Sequence, residues 1–352
     1  MAQKKTDMCQ VCVSGEKAER KLGLLPPTTA PAVIDEMRQQ VELYHKHKYF
    51  KEQQQRYYKQ SITLTTPTSC VIIMDFKENF KIGGGPVETS RNFFERTQIS
   101  VLGFAVYYHN EDGEQLQYFD YLSEILSHDS LFVTDCITKL FSEPFMSQFN
   151  EVCFWSDSGP HFRSAELMDF IYHQLPRIHN ARYFVNFFAE YHGKSVVDGH
   201  FGVLSRWFLE GEAVRDIHSI TDLIGWFRGK VGGLQGDGGL QGHGGLQVTF
   251  DIYERSSERD TIHKLTISNF RSFLSFVRVG DKLFASTLST LDPANYTEVD
   301  FKTATVKDKR QTKRAPKRQA MDVDVPVVVG PRSRATLLKR VELTQDIPME
   351  VD

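Results

Sequence analysis

A chain of 352 residues, 40% apolar and 25% charged, has an ordinary globular composition, with apolar residues enough for one large core or two small ones. Its formal net charge of −3 says little about partners, although basic residues gather late, around Lys307–Lys317. Five cysteines without a regular framework argue against a secreted disulfide scaffold; with no secretory signal and no apolar run long enough for a bilayer, a soluble intracellular protein without a membrane partner is expected.

Residues 1–33 are polar and carry Cys9-Gln10-Val11-Cys12, followed by Pro26, Pro27 and Pro31. Two thiolates at this spacing can reach one tetrahedral Zn²⁺ and form half of a site. The other half is not evident, because His45 and His47 stand too close together for the usual second pair, and a loose pair of thiols is the competing reading. Residues 34–62 read as a strongly polar helix with a partial aromatic stripe (Tyr44, Tyr49, Phe50, Tyr57, Tyr58). Such a helix is a solvated connector, or an arm that meets nucleic acid or a second copy of the chain in a homo-oligomer.

Cys70–Phe76 is an apolar, β-branched run expected to form a buried strand, and it ends on the carboxylate of Asp75, which needs a partner there. Ser100–His109 and Gln115–Leu122 follow as strands joined by a hairpin turn at Asn110–Gly113. A helix is expected over residues 130–149, and then a fourth strand, Glu151–Ser156, running into Asp157. A helix over Ser164–Leu175 stops at Pro176; Ala181–Phe188 is a fifth strand, and a loop from Gly193 leads into a helix near Asp198. Cys70, Cys136 and Cys153 fall in apolar surroundings as reduced core residues. Residues 231–247 hold an imperfect Gly-Gly-Leu-Gln repeat and read as a flexible loop. Short strands at Val248–Glu254, Lys264–Ile267, Phe273–Val277 and Lys282–Ser286 suggest a small β-rich appendage over 248–302. Residues 303–352 read as a disordered tail whose basic stretch suits nuclear import or nucleic-acid binding.

The order β-β-β-α-β-α-β-α over residues 63–230 predicts an α/β fold with a mixed five-stranded sheet and helices on both faces, which is the order of the ribonuclease H-like fold. That fold places acids at the ends of strands one and four and on the last helix, where this chain has Asp75, Asp157 and Asp198. Three converging carboxylates suit two divalent cations, Mg²⁺ or Mn²⁺, and phosphoryl transfer. Each acid also has a plainer reading: Asp75 as a strand end, Asp157 as a turn residue, Asp198 as a helix cap. Glu190 is a rival third acid.

Three segments carry a resemblance: Ile72-Ile73-Met74-Asp75-Phe76, Phe154-Trp155-Ser156-Asp157-Ser158-Gly159, and Tyr191-His192-Gly193-Lys194-Ser195-Val196-Val197-Asp198-Gly199-His200-Phe201-Gly202. They resemble the cores of DDE/D transposases and integrases, within a group of eukaryotic transposon-derived proteins. The resemblance implies metal-dependent strand cleavage and transfer on DNA in the nucleus. It makes Asp75, Asp157 and Asp198 the metal-binding acids and places His192, Lys194, Arg163 and Arg206 against nucleic acid. The segment after the second acid, Ser158-Gly159-Pro160-His161-Phe162-Arg163, departs from the group's pattern. A catalytically inactive DNA-binding descendant and a ribonuclease H-like nuclease, with Asp135 or Glu143 as an added carboxylate, are the alternatives.

Overall fold

The computed structural model describes residues 9–87, 96–189, 193, 195–236, 247–255, 259 and 261–308. Helices α1 (Gln10–Leu22) and α2 (Pro31–Thr63) form a hairpin ahead of the sheet. Three long strands follow, β1 (Ser69–Ile82), β2 (Thr97–Asn110) and β3 (Gly113–Ser123), and then α3 (Ser130–Phe141), β4 (Glu151–Ser156), α4 (Ala165–Asp169, Phe170–Gln174 and Leu175–Ile178 in succession), β5 (Arg182–Phe187), α5 (Val196–Val214) and α6 (Ile220–Gly236). The chain closes with β6 (Gln247–Ile252), β7 (Thr261–Ile267), β8 (Ser275–Val279), β9 (Lys282–Ser286), β10 (Thr297–Glu298) and β11 (Phe301–Lys307).

Local chemistry sets the helix boundaries. The Asp129 side chain caps α3 by accepting from Phe132 N at 3.0 Å. The expected continuation of α3 to residue 149 fails at Pro144, and residues Pro144–Gln148 form a short 3-10 turn instead. Helix α4 starts at Ala165–Asp169 under the Ser164 cap and passes through a π turn, Phe170–Gln174, into a last turn, Leu175–Ile178. Pro176 therefore widens this helix rather than stopping it. Pro176 has no N–H for the Tyr172 carbonyl, and that carbonyl accepts from Arg278 Nη1 instead.

The fold is mixed α/β with helices on both faces of a large mixed sheet, and the sheet has nine strands rather than five, in the order β10-β9-β8-β5-β4-β1-β2-β3-β6. β1 runs antiparallel to β2 and parallel to β4; β2 and β3 are antiparallel, and β4 and β5 parallel. Three of the four short strands expected in the β-rich appendage extend the edges of these five strands. β6 adds to β3 in parallel, β8 adds to β5 in antiparallel, and β9 and β10 follow. An open edge presents unpaired N–H and C=O groups, so short strands are gained there at little cost in loop ordering. β7 and β11 form a two-stranded sheet of their own, which makes Phe301–Lys307 a strand and not the start of a tail. The repeat begins as helix, since α6 reaches Gly236; residues 237–246 and the tail from Lys309 lie outside the described residues.

Alternation along β1 divides the core. Ile72 and Met74 pack with Phe104 and Phe154 against α3 and α4, while Val71 and Ile73 pack with Trp155 against α5 and α6. Asp75 continues the second series and points to the α5 face. Tyr58 of α2 meets Trp155 and Phe188 there at ring distances of 5.5 and 5.1 Å. The described cysteines form no disulfide with one another, and burial pushes the thiols of Cys70 and Cys136 far above their usual range and that of Cys153 up to about 12. Among the described residues no helix is long and apolar enough to cross a membrane.

Candidate functional site

Register brings Asp75 and Asp157 together. Ile73 pairs with Trp155 and Met74 with Ser156 at the end of the parallel β1–β4 ladder, so β4 leaves the sheet beside Asp75; β1 itself runs on to Ile82 against β2, which makes Asp75 a mid-strand residue and not the strand end expected. Asp198 arrives on the first turn of α5. Asp75 is half-buried and accepts from Phe76 N at 2.8 Å. Burial first, and then the charges of Asp157 and Asp198, push its pKa from 3.8 to about 7. Asp157 and Asp198 thus both act electrostatically on Asp75.

Each of the other two is also held by its own backbone. Asp157 Oδ1 accepts from Gly159 N at 2.8 Å, as in an Asx turn, and Asp198 Oδ2 accepts from Ser195 N at 2.7 Å in a capping box with the Ser195 hydroxyl. The turn and cap roles are therefore real. Each of the three carboxylates is thus tied to a nearby backbone amide, and they are not gathered into one tight cluster: among the described residues, the one group of three metal-ligating side chains with donor atoms within 4.8 Å of one another lies elsewhere. Glu190, His192 and Lys194 lie outside the described residues.

An aromatic cluster borders Asp157 on the α3 side of the sheet, opposite the face to which Asp75 points. Phe76 stacks on His128 at 4.1 Å, and the ring of His161 meets it edge-on at 5.0 Å. His161 Nε2 stands 3.9 Å from Asp157 Oδ1, and burial lowers the pKa of both histidines, which favours the neutral rings. Arg163, expected to face nucleic acid, is instead committed to the fold. It donates to the carbonyls of Phe270 and Phe273 at 3.0 and 2.7 Å and lies over the rings of Phe187 and Phe270. Arg206 is exposed on α5. Asp135 accepts from Tyr253 Oη at 2.8 Å, on the side of the sheet that packs α3. Sequence reasoning missed His161 and a buried pair, Asp120 and His200, beside the site; its one available signal was Gly103, a glycine inside an apolar strand.

The converging donors are Cys9, Cys12 and His47. Cys9 Sγ lies 3.2 Å from His47 Nε2, so the partner of the cysteine pair is a single histidine on the facing helix rather than a second local pair. The helices approach closely because Gly15 has no side chain: a Cβ there would come within 2.1 Å of Tyr44 Cβ. His45 turns to Glu19 at 2.9 Å. Burial and the neighbouring Cys9 raise the Cys12 thiol, as expected of two thiols sharing a site. A cavity of about 490 Å³ sits at the far end of β1 and β4 from Asp75 and is lined mainly by apolar side chains such as Phe184 and Leu291.

Residues 54–235, from the last turns of α2 through α6, match the model of a domain family of unknown function, DUF8701. No curated protein and no solved structure matches the chain. The matched segment contains Asp75, Asp157 and Asp198 and takes in just over half of the sequence, so the chain belongs to the DUF8701 family.

Proposed function

We propose that this protein is transposase-like, with a ribonuclease H-like core that carries out divalent-metal-dependent phosphoryl transfer on DNA. The observation that carries this reading is the strand order β3-β2-β1-β4-β5 with β1 antiparallel to β2 and parallel to β4, which sets Asp75 of β1 beside Asp157 just past the end of β4. The state of Asp75 supports it further, since a carboxyl pushed up to about 7 by burial and then by the neighbouring Asp157 and Asp198 is poised for a cation.

The donor set fits a hard cation: three carboxylates in one neighbourhood, with Asp75 costly as an uncompensated anion. Asp75, Asp157 and Asp198 would hold Mg²⁺ or Mn²⁺, which supplies activation of a water or 3′-hydroxyl and stabilisation of the leaving oxygen. The backbone amides of Gly159 and Ser195 orient Asp157 and Asp198 through one oxygen each. His161, with its neutral form favoured beside Asp157, can accept a proton at the site's edge. Nicking of supercoiled DNA with Mg²⁺ or Mn²⁺, compared with Asp75→Ala, tests the reading; equal nicking by that variant sinks it.

A second reading, a descendant that binds DNA without cleaving it, is favoured by the separation of the three carboxylates. It predicts salt-sensitive DNA binding that survives Asp75→Ala, with no nicking by either protein. For the N-terminal centre, two thiolates and an imidazole are the donor set of Zn²⁺. The basic stretch from Lys307 to Lys317 is assigned to nuclear import on its composition.

A further inference from the structure

Asp120 of β3 and His200 of α5 are enclosed completely, their side chains 0% and 1% exposed, with His200 Nε2 2.6 Å from Asp120 Oδ2. Tyr118 stacks on the His200 ring at 4.1 Å and 12°. The other carboxylate oxygen, Asp120 Oδ1, is buried without a hydrogen-bond partner. Such a pair is costly to bury, and the proposed chemistry does not use it.

Its place in the sheet suggests what it does. Asp75 pairs with Gly103 across β1–β2, and Gly103 pairs with Asp120 across β2–β3, so the three form one row facing α5. Phe201 rests on the middle of that row: a Cβ at Gly103 would come within 2.7 Å of its ring and 3.1 Å of Asp120 Oδ1. At about 100° per residue, His200 and Asp198 flank Phe201 on the helix, about 100° to one side and about 60° to the other. The helix therefore presents His200, Phe201 and Asp198 in the order in which the sheet presents Asp120, Gly103 and Asp75.

We propose that the Asp120–His200 pair is a rotational stop for α5, holding its first turn at the angle that directs Asp198 toward Asp75. Both are positioning residues for the carboxylates that bind a divalent cation, and the inference rests on the metal-site reading above. Losing the pair frees the helix to roll, and Asp198, on the opposite flank from His200, swings off the row.

The test is Mn²⁺ binding to the full chain, read from loss of the free-ion EPR signal; Mn²⁺ prefers carboxylate oxygen over thiolate. His200→Ala is expected to weaken binding about 10–100-fold, as removal of outer-shell partners does. His200→Gln, which keeps a donor for Asp120, restores most of it. In an Asp198→Asn background, His200→Ala causes no further loss, because the stop acts through Asp198. Wild-type affinity in His200→Ala, or an undiminished loss in the Asp198→Asn background, overturns the proposal. Should His200→Ala not fold, Asp120→Ala/His200→Ala leaves no buried charge unpaired and is judged by the same two outcomes. Asp75→Asn separates the two levels. If it binds Mn²⁺ as the wild type does, the metal-site reading fails and takes the stop with it; if it loses binding while His200→Ala keeps it, the stop alone fails.

Discussion

Asp75→Asn should stabilise the protein at alkaline pH and leave it unchanged in acid. In the folded chain Asp75 titrates at about 7, against an ordinary 3.8. Below pH 3.8 the carboxyl is protonated in both folded and unfolded chains, so it has no pH-linked effect. Between the two values the unfolded chain has lost the proton and the folded chain retains it, so stability falls as pH rises. At 1.36 kcal/mol per pH unit the full loss above pH 7 is about 4 kcal/mol, and side-chain relaxation brings the realistic figure to about 2–4 kcal/mol. Asparagine has the same shape and no charge to bury. For a chain of this size its Tm at about pH 8 should exceed that of the wild type by about 3–5 °C, with no gain near pH 4. Thermal unfolding without divalent cations, followed by tryptophan fluorescence across this range, makes the measurement. A variant that is less stable at every pH, or a difference that does not widen as pH rises, would refute the electrostatic account of Asp75.

Three further predictions concern the scaffold. Gly103→Ala should cost about 1–3 kcal/mol in urea unfolding, because the new methyl meets the Phe201 ring at 2.7 Å on a well-packed sheet. The purified chain should carry one zinc ion by elemental analysis, lost in Cys12→Ser and in His47→Ala; cobalt substitution should show thiolate charge-transfer absorption that disappears in the cysteine variant. Asn186→Leu should lower stability by about 1–3 kcal/mol in the same unfolding assay, since Asn186 Oδ1 accepts from the hydroxyls of Ser275 and Ser289 at 2.7 Å each and both would be left without that acceptor.

Features that depend on neighbours in sequence were readable, and those that depend on register were not. The β-branched run before Asp75, the Asp-Gly hairpin and the strand before Asp157 announced themselves through local periodicity, and their order placed two carboxylates side by side. Asp120 and His200 gave no such sign, because 80 residues separate them and only the β1–β2–β3 row unites them. His47 was passed over because metal-ligand spacing was sought within one segment, whereas the hairpin of α1 and α2 supplies the third donor from the facing helix. The polarity of residues 10–22 concealed α1, whose buried contacts are the small residues Gly15 and Ala18. Strands β6, β8 and β9 were visible as strands, but short apolar runs do not reveal which open edge they will pair with.

Helix α2 spans 33 residues, about 50 Å, yet its buried side chains are Tyr44, Gln54 and Tyr58. Tyr44 is covered by α1. Gln54 binds the Phe187 carbonyl and Ser289, and Tyr58 is set between Trp155 and Phe188. The helix is thus a boom clamped toward one end, with the cysteine–histidine centre on its overhang. A swing of about 5° at the clamp carries Pro31 through about 3 Å, given the 1.5 Å rise of each residue. Trp155 lies on β4 two residues before Asp157, so the clamp of the hairpin and the exit of β4 share one aromatic contact.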